Sequence, residues 1–310
     1  MQKQIYANSI YFHEIIDDGG FYVDKTLFVK ELLENISDTS GITTLISRPK
    51  GFGKTMNMSM LRSFFDINRN SMDLFKGLAI SEYKDICEEH MNKHPLIYLT
   101  FQNMEFDEYP KAITRIKIQV SGVFRQNLRV YESDVLSEEQ KDKFYSYYQR
   151  NSTDEELQVS LQFLAECLYA YHKKPAIILL DAYDCPLESA ETFGYYQDYA
   201  KYLDGFFASI FKGNEYLKFG VLAGVHDTFA KELVNSFDNL RVFGTSENSF
   251  ATYFGFTEDE VKAACETYQK DETFDENNNW YDVHNIGGQN IFNPSNIAMY
   301  LDGQIYEIVE

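Results

Sequence analysis

Apolar residues along this chain fall into two kinds of pattern: short, nearly unbroken runs, and longer stretches that repeat at roughly 3.6 residues. The runs are Ile42 to Ile46, Leu96 to Phe101, Ala176 to Leu180 and Leu217 to Ala223. Pro95 and Pro175 launch the second and third, Asp181 closes the third, and Gly224 closes the fourth. The third run is apolar at every position, as expected of a parallel strand buried on both faces. Between the runs, helical spacing marks Thr55 to Phe65, Tyr109 to Arg129, Ser137 to Gln149, Asp154 to His172 and Tyr195 to Phe211. Strands that alternate with helices predict an α/β fold, a doubly wound parallel sheet with helices on both faces.

The tail reads differently. Thr257-Glu258-Asp259-Glu260 sets a hydroxyl cap before a run of acids, the start of a helix, and Glu272 to Asn279 is polar with few apolar residues. The pattern therefore predicts a main domain over residues 1–245 and a small C-terminal helical lid or subdomain over residues 246–310. There is no internal repeat.

A chain of 310 residues with 44% hydrophobic content can bury a sizeable core. Its 48 acids against 28 basic residues give a net charge of −20, so the field of the whole molecule repels nucleic acid and anionic lipid. The densest basic series, Lys111, Arg115, Lys117, Arg125 and Arg129, recurs at helical spacing among apolar residues and reads as a solvated helix face. Cys87, Cys167, Cys185 and Cys265 form no paired motif, which argues against a zinc ribbon or a redox pair. No apolar signal region opens the chain and no run of about 18 apolar residues could span a bilayer, so the expected location is the cytoplasm.

The chemistry begins where the first strand meets the first long helix, at Ser47-Arg48-Pro49-Lys50-Gly51-Phe52-Gly53-Lys54-Thr55. A glycine turn between a strand and a helix can aim several backbone N–H groups at one phosphate, with the helix N-terminus adding positive potential. Lys54 would reach the outer phosphates, and the Thr55 hydroxyl would coordinate Mg²⁺. The positions assigned to the nucleotide are Arg48, Lys50, Gly51, Phe52, Gly53, Lys54, Thr55 and Met56. Asp181, at the end of the apolar third strand, has the place of a Walker-B acid that holds the metal. The usual phosphate-loop pattern wants glycine where Arg48 stands.

With those residues in view, the chain resembles the bacterial predicted AAA-ATPase family, and the likeness runs along nearly its whole length. The segments that carry it are Phe21-Tyr22-Val23-Asp24-Lys25-Thr26, the loop from Arg48 to Thr55, Leu180 to Leu187, Tyr253-Phe254-Gly255-Phe256-Thr257-Glu258, and Asn293-Pro294. The resemblance implies a P-loop NTPase-type parallel sheet and ATP with Mg²⁺ as ligands. It also makes Arg48 and Pro49 family features, because relatives read Arg-Pro-x-x-Phe-Gly-Lys-[Ser/Thr]. Many members continue into a PD-(D/E)XK nuclease-like domain, which is not expected in a chain that ends at Glu310.

Several positions depart from the family. Where relatives carry the Glu that polarises the attacking water, this chain has Ala182. After the fourth strand, a Thr, an Arg and a Lys of the family become Ala223, Asp227 and Ala230. Near the C-terminus, Trp280 to Gly287 lacks a further Arg. Each change removes a group that acts on transition-state charge while Lys54, Thr55 and Asp181 remain. The expectation is an ATP·Mg-binding protein with weak or no hydrolysis. Two alternatives stay open: an active ATPase in which Asp184 or His226 replaces the base, and an interaction scaffold, without nucleotide, that serves a protein partner.

Overall fold

The structure, a computed structural model, describes residues 3–6, 10–36, 41–226, 237–270 and 282–303. All four apolar runs are strands: β1 (Ile42–Ser47), β2 (Leu96–Thr100), β3 (Ala176–Asp181) and β4 (Leu217–Gly224). A fifth strand, β5 (Leu240–Phe243), completes a sheet of order β2-β3-β4-β1-β5 in which every pair is parallel. The strand that feeds the glycine turn and the strand that ends in Asp181 are therefore separated by β4.

The unbroken apolar character of β3 follows from its two covered faces. Ile178 and Leu180 enter one core with the helices Tyr109–Gln126, Ser160–His172 and Tyr196–Phe211. Ile177 and Leu179, one residue out of phase, enter the other core with Phe28–Ile36 and Lys54–Phe65. Gly220 in β4 admits the Phe211 ring where a side chain would collide with it.

Two long helical stretches are interrupted. The expected Tyr109-to-Arg129 helix ends at Asn127, whose amide donates to the Val123 carbonyl at 2.9 Å. The Asp154-to-His172 stretch divides at Val159, where the Ser160 hydroxyl donates back to the Leu157 carbonyl at 2.7 Å. Such side-chain bonds compete with the helical ladder.

The C-terminal region is not purely helical. The helix Glu258–Tyr268 forms with its capping box, Glu260 N–H donating to Thr257 Oγ1 and Thr257 N–H to Glu260 Oε2. It is joined, however, by an antiparallel sheet of β6 (Phe256–Thr257), β7 (Val283–Ile286) and β8 (Gln289–Phe292), in the order β6-β8-β7. The polar turn at Gly287-Gly288, both at positive φ, lets the chain reverse and pair. The polar segment Glu272 to Asn279 lies outside the described residues.

This region is stitched to the start of the chain. Lys25 Nζ, buried, donates to the Glu260 carboxylate at 2.6 Å and to the Thr252 carbonyl at 2.6 Å. Asp24 accepts from Thr26 and from the Ala79 N–H. The Asp24-Lys25-Thr26 segment is thus a brace. Among the described residues, no helix is long and apolar enough to cross a membrane.

Candidate functional site

The carboxyl ends of β1 and β3 open on a cavity of about 540 Å³. Lys50, Gly51, Gly53, Lys54, Thr55 and Met56 line it from the loop, and Asp181, Ala182 and Asp184 from the end of β3. Its other walls are mixed: Ile5, Tyr6 and Phe21 from the N-terminal segment and Pro294 and Ala298 from the helix Pro294–Leu301 are joined by Gln102, Glu105 and Glu188. The cavity thus offers both charged groups and apolar surface to a ligand.

Gly51 and Gly53 adopt φ of 82° and 75°, and Gly53 is the N-cap of the helix that begins at Lys54. Positive φ at both positions is what a tight phosphate-cradling turn demands of its backbone. The two larger residues of the loop face elsewhere. Arg48 is fully buried, and its Nη1 donates to the carbonyls of Ser47, Phe243 and Gly244 at 2.8 to 2.9 Å. Its Nε and Nη2 have no hydrogen-bond partner, and the guanidinium carbon lies 5.7 Å from the Phe254 ring centre, an orientation in which the ring face stabilises the charge. Arg48 thus ties the loop to the end of β5 instead of lining the cavity.

Phe52 is likewise fully buried, packed with Ala251, Ile286 and Ile291 and edge-on to His284 at 5.1 Å. Asn293 completes the clamp: its Nδ2 donates to the Lys50 carbonyl at 3.2 Å and to Asp282 at 2.7 Å, so close to Gly51 that a Cβ there would strike the amide. The loop is therefore held by its side chains on the C-terminal sheet. Phe52→Ala should cost about 3–5 kcal/mol in urea unfolding, as for a fully buried aromatic, and weaken ligand binding with it.

Lys54 Nζ donates to the Arg48 and Pro49 carbonyls, both at 2.7 Å. Burial lowers its pKa to about 8, against the opposing pull of Asp184 and Asp181. Thr55 Oγ1 donates to Asp181 Oδ2 at 2.8 Å, and Gln102 Nε2 reaches the same hydroxyl at 2.5 Å. Asp181 is almost wholly buried, and its pKa is pushed up to about 6 by that burial, with the Thr55 hydrogen bond and the Lys54 charge opposing.

A hydroxyl and a carboxylate side by side, both hard oxygen donors, are a donor set that suits Mg²⁺, which takes few protein ligands and completes its shell with water and phosphate. The carboxylate is costly to keep charged without a cation. Its folded pKa lies above the ordinary 3.8, so stability falls as pH rises from there through about 6 and the penalty is complete at neutral pH. Asp181→Asn should accordingly raise stability at pH 7 without metal, by on the order of 2 kcal/mol in chemical denaturation, while removing Mg²⁺ dependence.

The two expected stand-ins for the base are placed as follows. Asp184 is buried and lines the cavity, but its Oδ2 accepts the backbone N–H groups of Val225 and His226, each at 2.7 Å, which fixes the turn after β4. His226 Nε2 sits 3.1 Å from Glu188 Oε1, and Glu188 itself lines the cavity. Ala182 adopts φ of 54°, the left-handed region. Asp227 and Ala230 lie outside the described residues. Among the described residues, no arginine lines the cavity.

Gln102 and Glu188 were not identified in the sequence. Gln102 lies just beyond β2, where no periodic signal marks it. Glu188 stands one helical turn after Asp184 on Cys185–Phe193, a spacing that could have placed both on one face.

A five-stranded parallel sheet with a glycine turn leading from an inner strand into a helix defines a P-loop NTPase-type fold. The chain belongs to the predicted AAA-ATPase-like family, whose model matches residues 9–234. It is also similar to an uncharacterized protein encoded in the vnfD 5′ region of Azotobacter chroococcum mcd 1, at 23% identity over 283 residues. That match covers 91% of this chain and 48% of the relative, so the chain spans about half the length of the curated protein it matches.

Proposed function

We propose that this chain binds ATP or another nucleoside triphosphate with Mg²⁺ and hydrolyses it weakly or not at all. The observation that carries the reading is the convergence of Lys54, Thr55 and Asp181 on one cavity beside a position, 182, that holds only a methyl group. Lys54, desolvated and within reach of the turn, supplies an ammonium to the phosphates, and the N–H groups of the turn orient them. Thr55 and Asp181 would hold Mg²⁺, which supplies charge neutralisation to the phosphate oxygens. Ile5, Phe21 and Ala298 offer the base apolar surface to pack on.

Hydrolysis further requires a group that takes a proton from water. Ala182 has none, and Asp184 has one oxygen committed to two backbone donors. A missing general base costs about 10²–10⁴ in rate. The bound nucleotide should therefore outlast its own purification. Chain loaded with Mg·ATP, freed of excess ligand and held for hours should release mostly ATP when denatured; release of mostly ADP, lost in Asp181→Ala, would favour the working ATPase with His226 beside Glu188 as the base.

A further inference from the structure

A second cleft, of about 410 Å³, lies along the edge strand β2 and shares no lining residue with the nucleotide cavity. Ser59 and Arg62 of the Lys54–Phe65 helix line one side, and Gln119, Gly122 and Gln126 of the Tyr109–Gln126 helix the other. In a molecule of charge −20, this cleft presents two guanidinium groups, those of Arg62 and Arg69.

The two share one carboxylate, that of Asp66, which stands outside the lining and whose charge acts on both. Arg62 lies over the Tyr98 ring at 5.0 Å and spends Nη2 on the Gln126 amide oxygen at 2.8 Å, while its Nε is buried without a hydrogen-bond partner. Arg69 has Asp66 only at 3.7 Å, and one oxygen of Asp66 accepts the Asn68 N–H. Burial first, then the nearby Arg69 charge, lowers the Arg62 pKa, as two crowded cations should. His13 Nδ1, on the same cleft, is a second buried nitrogen without a partner. The opposing charge in the lining is Glu14, which is exposed.

A buried donor left without an acceptor destabilises the fold, the more so when it is charged, and favours any ligand that supplies one. Gln126 is exposed, so its neutral amide is readily displaced from Nη2. The oxygens of a planar or tetrahedral oxyanion then meet Nη2 and Nε side by side, the fork geometry that guanidinium groups prefer. We infer that this cleft is a second ligand site, for a small molecule bearing a carboxylate or phosphate group, gripped by Arg62 and Arg69 with His13 behind them.

Calorimetric titration with inorganic phosphate and, separately, with succinate, at constant ionic strength in chloride, tests the site. At least one of the two should bind saturably at millimolar concentration; tighter phosphate assigns a phosphate-bearing ligand, tighter succinate a carboxylate. Binding should persist in Lys54→Ala and weaken at least tenfold in Arg62→Gln, the loss of one charge-assisted hydrogen bond. Gly122→Leu should abolish it too: a Cβ there meets nothing within 4 Å, so leucine fills the cleft while both arginines and the helix stay. No saturable binding of either anion, binding unchanged in both Arg62→Gln and Gly122→Leu, or binding lost in Lys54→Ala would each overturn the inference.

Discussion

Glutamate at position 182 is expected to raise nucleotide turnover by about 10²-fold, measured as steady-state phosphate release at saturating Mg·ATP. Position 182 lines the cavity directly after Asp181, so a carboxylate on it enters the ligand space instead of the core. The backbone there is already in the left-handed region with a Cβ in place, which spares the substitution most of the added strain. The gain belongs near the low end of what a general base supplies, because groups of this kind act as a unit and no arginine lines the described cavity. A change of less than about threefold would mean that the missing Glu is not the limiting defect.

The second large effect is a pH window for binding. Phosphate binding needs Lys54 as ammonium, and burial has lowered its pKa to about 8. Metal binding needs Asp181 as carboxylate, and burial has raised its pKa to about 6. Affinity for Mg·ATP should therefore be highest between about 6 and about 8, falling on the acid side as Asp181 gains a proton and on the alkaline side as Lys54 loses one. Each limb should approach tenfold per pH unit, and ligation should take up protons near the alkaline limb. Lys54→Ala should erase the alkaline limb and Asp181→Asn the acid one. A flat profile between pH 5 and 9 would place the ligand elsewhere.

Much of the frame was legible because it is periodic. Four strands and the helices between them announce themselves by length and spacing, and an all-apolar run such as Ala176 to Leu180 has few uses other than a strand covered on both faces. The fifth strand did not, since Leu240–Phe243 is short and carries Arg241 on a partly exposed edge. The β7–β8 hairpin was missed for a different reason: Val283–Ile286 and Gln289–Phe292 are short and half polar without alternation, and their pairing is signalled only by the Gly287-Gly288 turn.

In the site, the residues that a phosphate loop requires were readable from their order along the chain. What Arg48, Phe52 and Asn293 do was not. Their work is to fasten the loop to β5 and to the C-terminal sheet, through contacts between residues some 200 positions apart. Spacing along a chain carries no trace of such contacts. They also explain the absent first glycine, since the turn is held by buried side chains instead of by backbone freedom alone.

The claim on which the rest depends is that the loop from Ser47 to Thr55 holds the phosphates of a nucleotide. Titration of Mg·ATP into the wild-type chain and into Lys54→Ala, at pH 7 in a calorimeter, measures this most directly. One saturable site in the wild type, weakened at least a hundredfold in Lys54→Ala, is the expected result, because a buried charge-assisted contact of this kind contributes about 2–5 kcal/mol. No heat with any nucleoside triphosphate, or equal affinity in both proteins, would contradict it and leave a fold that serves as an interaction scaffold.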